Sequence, residues 1–171
     1  MRVTRLVEDD WDTLRTIRLR SLTEDHPVLA SLDRERGFTE AHWRMRLRGS
    51  SWFVATQGRR PVGLISLIEE PGAPAHERHV VGLWVAPEAR ATAAGKGLLG
   101  AAVDRARTDG AALLTAWLLD GDEPVEALLR AAGFVASGVR TPFPRDRSLT
   151  EERWTRDLAG QRLTVRRPTT H

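Results

Sequence analysis

The sequence predicts an α/β protein built on one mixed sheet, mostly antiparallel, with a single parallel β-α-β crossover and helices on both faces. Three apolar segments between Trp52 and Val85 are joined by connections without helices, which is typical of antiparallel strands. A helical pattern then separates the strand ending at Val85 from another apolar strand, so those two strands should pair in parallel. The 171 residues, 41% of them hydrophobic, are enough for one domain with a buried core.

The N-terminal half is predicted to contain one strand, two helices and three further strands. The first strand covers Val3 to Val7, and Asp9 or Asp10 caps the helix that follows. Thr39 begins the second helix, between apolar residues placed for a hydrophobic staple. The three strands cover Trp52 to Thr56, Pro61 to Ile68 and His79 to Val85.

The C-terminal half supplies the crossover and the end of the sheet. A helix from about Ala94 to Gly110 leads into a strand from Ala111 to Leu119, and a further helix covers Asp122 to Gly133. The last strands are Phe134 to Val139 and Arg153 to Leu158. We expect one domain over residues 1–159 and a basic C-terminal tail over residues 160–171. Strand edges near the C-terminus are compatible with a homodimer.

Composition excludes several function classes. Cysteine is absent, so disulfides and thiolate metal sites are excluded, and no metal cofactor is expected. Arginine is dispersed along the chain and the net charge is only +3, so no nucleic-acid partner is expected. No apolar run has the length of a membrane span and no signal peptide is recognisable, so we expect a cytoplasmic protein without membrane contact.

The stretch from Val81 to Leu99 carries the strongest functional signal. Its pattern predicts a strand, then a loop of small residues, then a helix. Small residues let the backbone approach a ligand closely. The first turn of a helix presents unpaired N–H groups and the positive end of the helix dipole. Together they suit a diphosphate, with Arg90 and the single lysine, Lys96, adding charge.

In this stretch the chain resembles the GNAT family of N-acyltransferases. The family signature is Arg or Gln, two residues, Gly, one residue, then Gly or Ala; here it falls on Arg90, Ala93 and Gly95, between a strand and a helix. Ala127 to Phe134 resembles the family's helix that ends in Gly-Phe. The resemblance covers about Val3 to Leu158. It implies the GNAT-like acyl-CoA N-acyltransferase fold, acyl-CoA binding and acyl transfer to an amine.

The resemblance also implies where acetyl-CoA, the donor, would bind. The backbone of Leu83 and Val85, unpaired where neighbouring strands splay, would hold the pantetheine arm beside Trp84. Asp122 takes the position of an Asn that often contacts pantetheine, although we expect it first to cap its helix. The diphosphate would lie beside Arg90, on the N–H groups of a loop and helix turn formed by Ala91, Ala93, Ala94, Gly95, Lys96 and Gly97. Glu in place of Gly95 is expected to block this site while leaving the protein folded.

Two positions depart from the family pattern. Ala93 replaces the first signature glycine, so the phosphate loop carries an extra methyl group. Leu129 replaces the Tyr that many members use to protonate the departing thiolate, and the chain contains no Tyr. That role is absent or falls to water, substrate or another side chain. A thiolate is a tolerable leaving group, so activity does not require this acid.

A base must take a proton from the attacking amine. In the family, a His or an acidic residue on the signature strand serves, and His79 is the first candidate, with Glu77 and Asp120 behind it. An unperturbed imidazole titrates near neutral pH, which suits the role. Each residue also has a structural alternative: His79 as a solvent-facing strand residue, Glu77 as a loop end, and Asp120 as part of a turn with Gly121.

The acceptor pocket is expected between the N-terminal helices and the loops Glu69 to Glu77 and Thr141 to Arg147. Trp84 is the preferred pocket wall, and the surrounding arginines favour an acidic acceptor. The sequence thus predicts an N-acetyltransferase acting on a small-molecule or peptide amine. Alternatives are a carrier-protein or aminoacyl-tRNA donor, a catalytically silent CoA-binding module, and nucleic-acid binding by the tail.

Overall fold

The computed structural model describes residues 1–24 and 32–159, so the predicted tail lies outside the described residues. The described chain contains one seven-stranded sheet of order β1-β2-β3-β4-β5-β7-β6. Its strands are β1 (Arg2–Arg5), β2 (Ser51–Gln57), β3 (Arg60–Ile68), β4 (Glu77–Val85), β5 (Leu113–Leu119), β6 (Val135–Phe143) and β7 (Asp146–Asp157). Neighbouring strands are antiparallel except β4 and β5, which are parallel. The predicted mixed sheet is confirmed.

Five α-helices accompany the sheet in the described residues. They are α1 (Trp11–Glu24), α2 (Leu32–Arg36), α3 (Glu40–Gly49), α4 (Ala94–Thr108) and α5 (Glu123–Ala131). Thr39 caps α3 as predicted, because its side chain accepts the N–H of His42 at 3.2 Å. The short helix α2 was not predicted, since five residues carry too little of an apolar repeat to reveal a helix.

Helices cover both faces of the sheet, as predicted. On one face, Arg20 of α1 lies over the Trp84 ring at 5.3 Å and Arg46 of α3 lies over the Trp52 ring at 5.1 Å. On the other face, a Cβ built on Gly63 of β3 would lie 2.8 Å from Leu98 of α4. We call these the α1 face, which also bears α3, and the α4 face, which also bears α5.

Predicted boundaries are wrong near both edges of the sheet: β1 is shorter than expected, and β7 begins at Asp146 rather than Arg153. Strand β1 ends at Arg5 because Val7 begins a single 3-10 turn, where the Asp10 carboxylate accepts the N–H of Val7 at 2.8 Å. The expected loop from Thr141 to Arg147 is mostly strand, since β6 and β7 remain paired until Phe143 meets Asp146. Strand β6 forms one edge of the sheet, where a proline such as Pro142 is tolerated within a strand.

Gly95 packs α4 against α5. A Cβ on Gly95 would lie 2.7 Å from Leu128 Cδ1 and 2.8 Å from Cδ2, closer than carbon atoms normally approach. A Glu side chain at this position would displace Leu128 and bring a carboxylate into this contact, so the expected variant would disturb helix packing as well as the proposed anion site. Gly95 is needed for helix packing, whatever its backbone binds.

We predict that Gly95→Ala lowers the free energy of unfolding by about 1–3 kcal/mol, because the added methyl overpacks the contact with Leu128. Urea unfolding measures the change. The matched control is Gly100→Ala on the same helix, which meets no atom within 4 Å and should stabilise the protein by about 0.5–1 kcal/mol. Leu128→Ala should remove most of the cost. Equal stability of the two glycine variants would contradict the packing role.

Candidate active site

The parallel strands β4 and β5 pair only along their first halves. The last pair joins Val80 to Ala116, and β4 continues to Val85 and β5 to Leu119 without pairing to each other. A gap between the strands therefore opens toward their C-terminal ends. The splaying that the family resemblance implied at Leu83 and Val85 is present in the structure.

A β-bulge accompanies this parting. Gly82 and Leu83 of β4 stand opposite the single residue Ile65 of β3, and Gly82 has a φ of 65°. An extra residue with a left-handed backbone conformation bends a strand and raises its local twist. The bulge thus turns the end of β4 away from β5. The glycine within an apolar strand is the signal that could have revealed it.

The backbone beyond the bulge offers hydrogen-bonding groups to the gap. The N–H of Ala86 donates to the carbonyl of Val62 on β3 at 2.8 Å. Because peptide groups alternate along a strand, those of Leu83 and Val85 face the side of β5. One of them is partly used, since Arg90 Nε donates to the Val85 carbonyl at 3.1 Å. Arg90 therefore reaches back to the strand end.

The N-terminus of α4 follows directly. The helical hydrogen bonds begin where Gly97 N–H donates to the Ala93 carbonyl at 2.9 Å. The residues before that bond leave N–H groups that no earlier carbonyl in the helix accepts: Ala94, Gly95 and Lys96. Of these, the N–H of Ala94 donates to the Thr92 hydroxyl at 3.3 Å. The side chains of Ala91, Ala93 and Lys96 are exposed, so this turn is open to a ligand.

His79 is buried, and its description as a solvent-facing residue is wrong. Its side chain is 6% exposed, and its Nδ1 lies 2.7 Å from the Thr115 hydroxyl. Its Nε2 lies 3.5 Å from the Glu70 carboxylate, which also accepts a hydrogen bond from Arg153 at 2.9 Å. Cross-strand pairing places His79 on the α1 face, in the paired half of β4 just before the gap.

The charges around His79 act in opposite directions. Burial lowers the pKa of the His79 imidazole and outweighs the nearby Glu70 carboxylate, which favours the charged ring, while Arg153 lowers the pKa further. The hydrogen bond from Arg153 lowers the pKa of the Glu70 carboxyl. The imidazole is therefore neutral and able to accept a proton at neutral pH.

The structure separates the other two base candidates. Glu77 lies two residues before His79 on β4, and its carboxylate is 4.0 Å from Arg153, so it joins the same cluster. Asp120 is exposed, forms an ion pair with Arg140, and lies in the turn after β5. It borders a cavity of about 180 Å³ that Trp154 and Glu126 of α5 also line, on the α4 face.

Three further predicted positions have structural roles. Asp122 caps α5, because its carboxylate accepts the N–H of Val125 at 3.4 Å. Leu129 is 1% exposed and packs in the core, so this position carries no proton donor. Trp84 is also buried, beneath Arg20.

Sequence reasoning missed three polar groups on the α1 face. Glu70 lies beside His79 and accepts a hydrogen bond from Arg153, and these two residues come from a loop and a strand far apart in the sequence. Glu151 pairs with Leu119, beside the unpaired half of β5, and burial raises the pKa of its carboxyl. No local motif marks such residues, because only the sheet order brings them to the gap.

A family model for GNAT acetyltransferases matches residues 11–134 of this chain. The protein belongs to the GNAT acetyltransferase family. It is thus an acyltransferase enzyme of the acyl-CoA N-acyltransferase fold, and acetyl-CoA is the donor that this family uses. None of the curated proteins matches the chain.

Solved structures show the same fold. The ribosomal-protein-alanine N-acetyltransferase of Brucella melitensis is 22% identical with a TM-score of 0.71, over 92% of this chain and 100% of that one. A GNAT acetyltransferase of Streptococcus pneumoniae is 15% identical with a TM-score of 0.74, over 91% and 98%. Salmonella typhimurium yncA, solved with its cofactor acetyl-CoA, is 17% identical with a TM-score of 0.72, over 92% and 94%.

Within residues 1–24 and 32–159, no helix combines the length and apolarity that a membrane span needs. In the same residues, no three His, Asp or Glu side chains are grouped as metal ligands would be.

We predict that His79 makes stability depend on pH. The folded protein holds the pKa of His79 below the ordinary value of 6.5, so the unfolded chain takes up this proton first. The free energy of unfolding should therefore fall as the pH drops below about 6.5. Protonation of Glu70 should lower it further only below about pH 4.5. Urea unfolding of His79→Gln between pH 7 and pH 5 should show a flatter slope.

The control for this measurement is Gly100→Ala on α4, which alters no titratable group and should keep the wild-type slope. Only the slope is compared, because either substitution can shift stability at all pH values. A slope unchanged in His79→Gln would show that the imidazole is not held neutral by its surroundings.

Proposed function

We propose that this enzyme transfers the acetyl group of acetyl-CoA to the primary amine of a small molecule or a peptide, by direct attack of the amine on the thioester. The observation that carries the proposal is the gap between β4 and β5, which opens beside the N-terminus of α4. A slot bordered by unpaired strand backbone, with an anion site at its mouth, suits a long thioester with a diphosphate. The yncA structure, solved with acetyl-CoA, has a similar fold.

The donor is proposed to bind through backbone groups. The diphosphate would accept hydrogen bonds from the first turn of α4, with the helix dipole and the exposed Lys96 adding positive potential. The pantetheine arm would lie in the gap and pair with the peptide groups of Leu83 and Val85. Asp122 would border the arm while it caps α5. Cytoplasmic location belongs to this proposal, since free acetyl-CoA is a cytoplasmic metabolite.

The chemical step needs few groups from the protein. The neutral amine nitrogen forms a bond to the thioester carbonyl carbon, and the carbon–sulfur bond then breaks with its electron pair left on sulfur. The proton lost by nitrogen passes to a base. The thiolate takes a proton from water, because Leu129 offers none. A thiolate leaves readily, so the missing acid lowers the rate only moderately.

His79 is proposed as the base, acting through a water molecule because its ring is buried. Thr115 and Glu70 hold the ring in place, and the lowered pKa keeps it neutral at the pH where the amine must be deprotonated. Glu77 ranks second because Arg153 partly neutralises it. Asp120 ranks third, because it is paired with Arg140 and lies toward the other face.

We predict that Ala93→Glu weakens CoA binding at least tenfold, because it adds a negative charge beside the diphosphate site without entering the core. Isothermal titration calorimetry with CoA measures the effect. Ala93→Gln is the matched control, since it has the same size without the charge, and it should lose much less affinity. No heat of binding for the folded wild type would overturn acetyl-CoA as donor and favour a carrier-protein thioester.

We predict that His79→Gln lowers kcat about 100-fold while the affinity for CoA stays within a factor of about two. Turnover is measured with a panel of amines as the rate at which the free thiol of CoA is released. Glu151→Gln removes a half-buried carboxyl beside the unpaired half of β5 and should retain most turnover. If His79→Gln keeps full turnover and Glu151→Gln is inactive, Glu151 is the base. Absence of turnover with any amine would support a silent binding module.

A further inference from the structure

We infer that the acceptor amine also carries an oxyanion, such as a carboxylate, which binds in an arginine-lined cavity between α2, α3 and the β6–β7 turn. This inference rests on the proposed function, because it names the class of acceptor for the same site. The cavity measures about 240 Å³. Its lining residues are Arg34, Glu35, Phe38, His42, Arg46 and Arg145.

The cavity carries an excess of positive charge. Among the residues that the structure describes, Glu35 is the only acidic residue in the lining, and its carboxylate is already occupied. Arg18 donates two hydrogen bonds to it, at 3.0 and 3.1 Å, and Arg46 donates a third at 2.6 Å. Burial alone would raise the pKa of the Glu35 carboxyl, but the bonds from these two arginines hold it below its ordinary value. Glu35 is therefore ionised, and its charge is balanced by Arg18 and Arg46 and not by Arg145.

Arg145 is the lining residue that packing does not account for. It is exposed in the turn between β6 and β7, and no carboxylate among residues 1–24 and 32–159 lies within ion-pair distance of it. The hairpin nevertheless brings this guanidinium across to the helices of the α1 face. A guanidinium offers paired N–H donors that match a carboxylate or a phosphate oxygen pair.

The cavity lies close to the gap in the sheet. Arg46, which lines the cavity, lies over the Trp52 ring at 5.1 Å. A carbon of that ring is 3.7 Å from the position where a Cβ on Gly82 would lie, and Arg18 Nη1 is 3.4 Å from the same position. One layer of side chains therefore separates the cavity from the bulge in β4. A small acceptor could place its oxyanion in the cavity and its amine at the gap.

The aromatic side chains in the cavity lining favour a small organic anion over an inorganic anion. Phe38 and His42 form one wall, with their rings stacked at 3.7 Å, and Arg46 lies 5.9 Å from the Phe38 ring. Aromatic surface beside guanidinium groups gives a pocket that can hold a carbon chain as well as its charged end.

The test compares acceptors that differ only in the anion. Wild-type enzyme is assayed with acetyl-CoA and pairs of amines: amino acids with their methyl esters, and β-alanine with propylamine. The carboxylate member should have a kcat/KM at least tenfold higher in at least one pair. Arg145→Gln should abolish most of that preference, by raising KM for the carboxylate only, and Arg145→Lys should restore part of it.

Arg147→Gln is the matched control, since Arg147 lies on the same hairpin but does not line the cavity. It should leave the preference unchanged. Equal kcat/KM for both members of every pair, or an equal loss in the Arg145 and Arg147 variants, would overturn the inference and leave the proposed function intact.

A separate measurement covers the case in which no amine is turned over. Calorimetry with CoA present compares N-acetyl amino acids with their amides, which mimic the two kinds of product. Tighter binding of the acids, lost in Arg145→Gln, supports the inference. Equal binding, or none, overturns it. If CoA itself does not bind, the proposed function is wrong, and the titration with CoA alone shows this.

Discussion

The extra residue at Gly82 and Leu83 is the constraint on which the rest of the site depends. Pairing between β4 and β5 ends at Val80, and the extra residue in β4 follows directly after it, so the bend in β4 coincides with the opening of the gap. The bulge requires a left-handed backbone at Gly82, which a side chain would strain. This glycine therefore lies at the boundary between two halves of β4. The first half pairs with β5, and the backbone of the second half does not.

The gap is flanked on the α1 face by two clusters that bury charge. Glu35 lies between Arg18 and Arg46 on one side, and Glu70 lies beside Arg153 and His79 on the other. Ion pairs in such positions gain little net stability, because removing the charges from water offsets their attraction. Their consistent effect is geometric: each carboxylate fixes the side chains around it. We regard these clusters as supports that hold the walls of the acceptor side in place.

The sequence predicted the features that depend on residues close together along the chain, and it missed those that depend on distant residues. The strands, the α3 cap at Thr39 and the crossover depend on residues within one or two turns of each other, so periodicity and capping revealed them. The environment of His79 depends on Glu70 and Arg153, which meet only because β7 lies next to β5. Likewise, Gly95 resembled a phosphate-loop glycine, and its contact with Leu128 became visible only when α4 and α5 were packed together.

The sheet divides the proposed reaction between its two faces. The helix whose first turn would hold the diphosphate lies on the α4 face, whereas His79, Glu70 and the arginine-lined cavity belong to the α1 face. The gap is the passage between them, so a thioester held from one side can meet an amine held from the other. This arrangement explains why Asp120 and His79, close to the same two strands, have different environments. In the proposed arrangement, substitutions in α2, α3 and the β6–β7 turn would alter the acceptor side and leave the donor side unchanged.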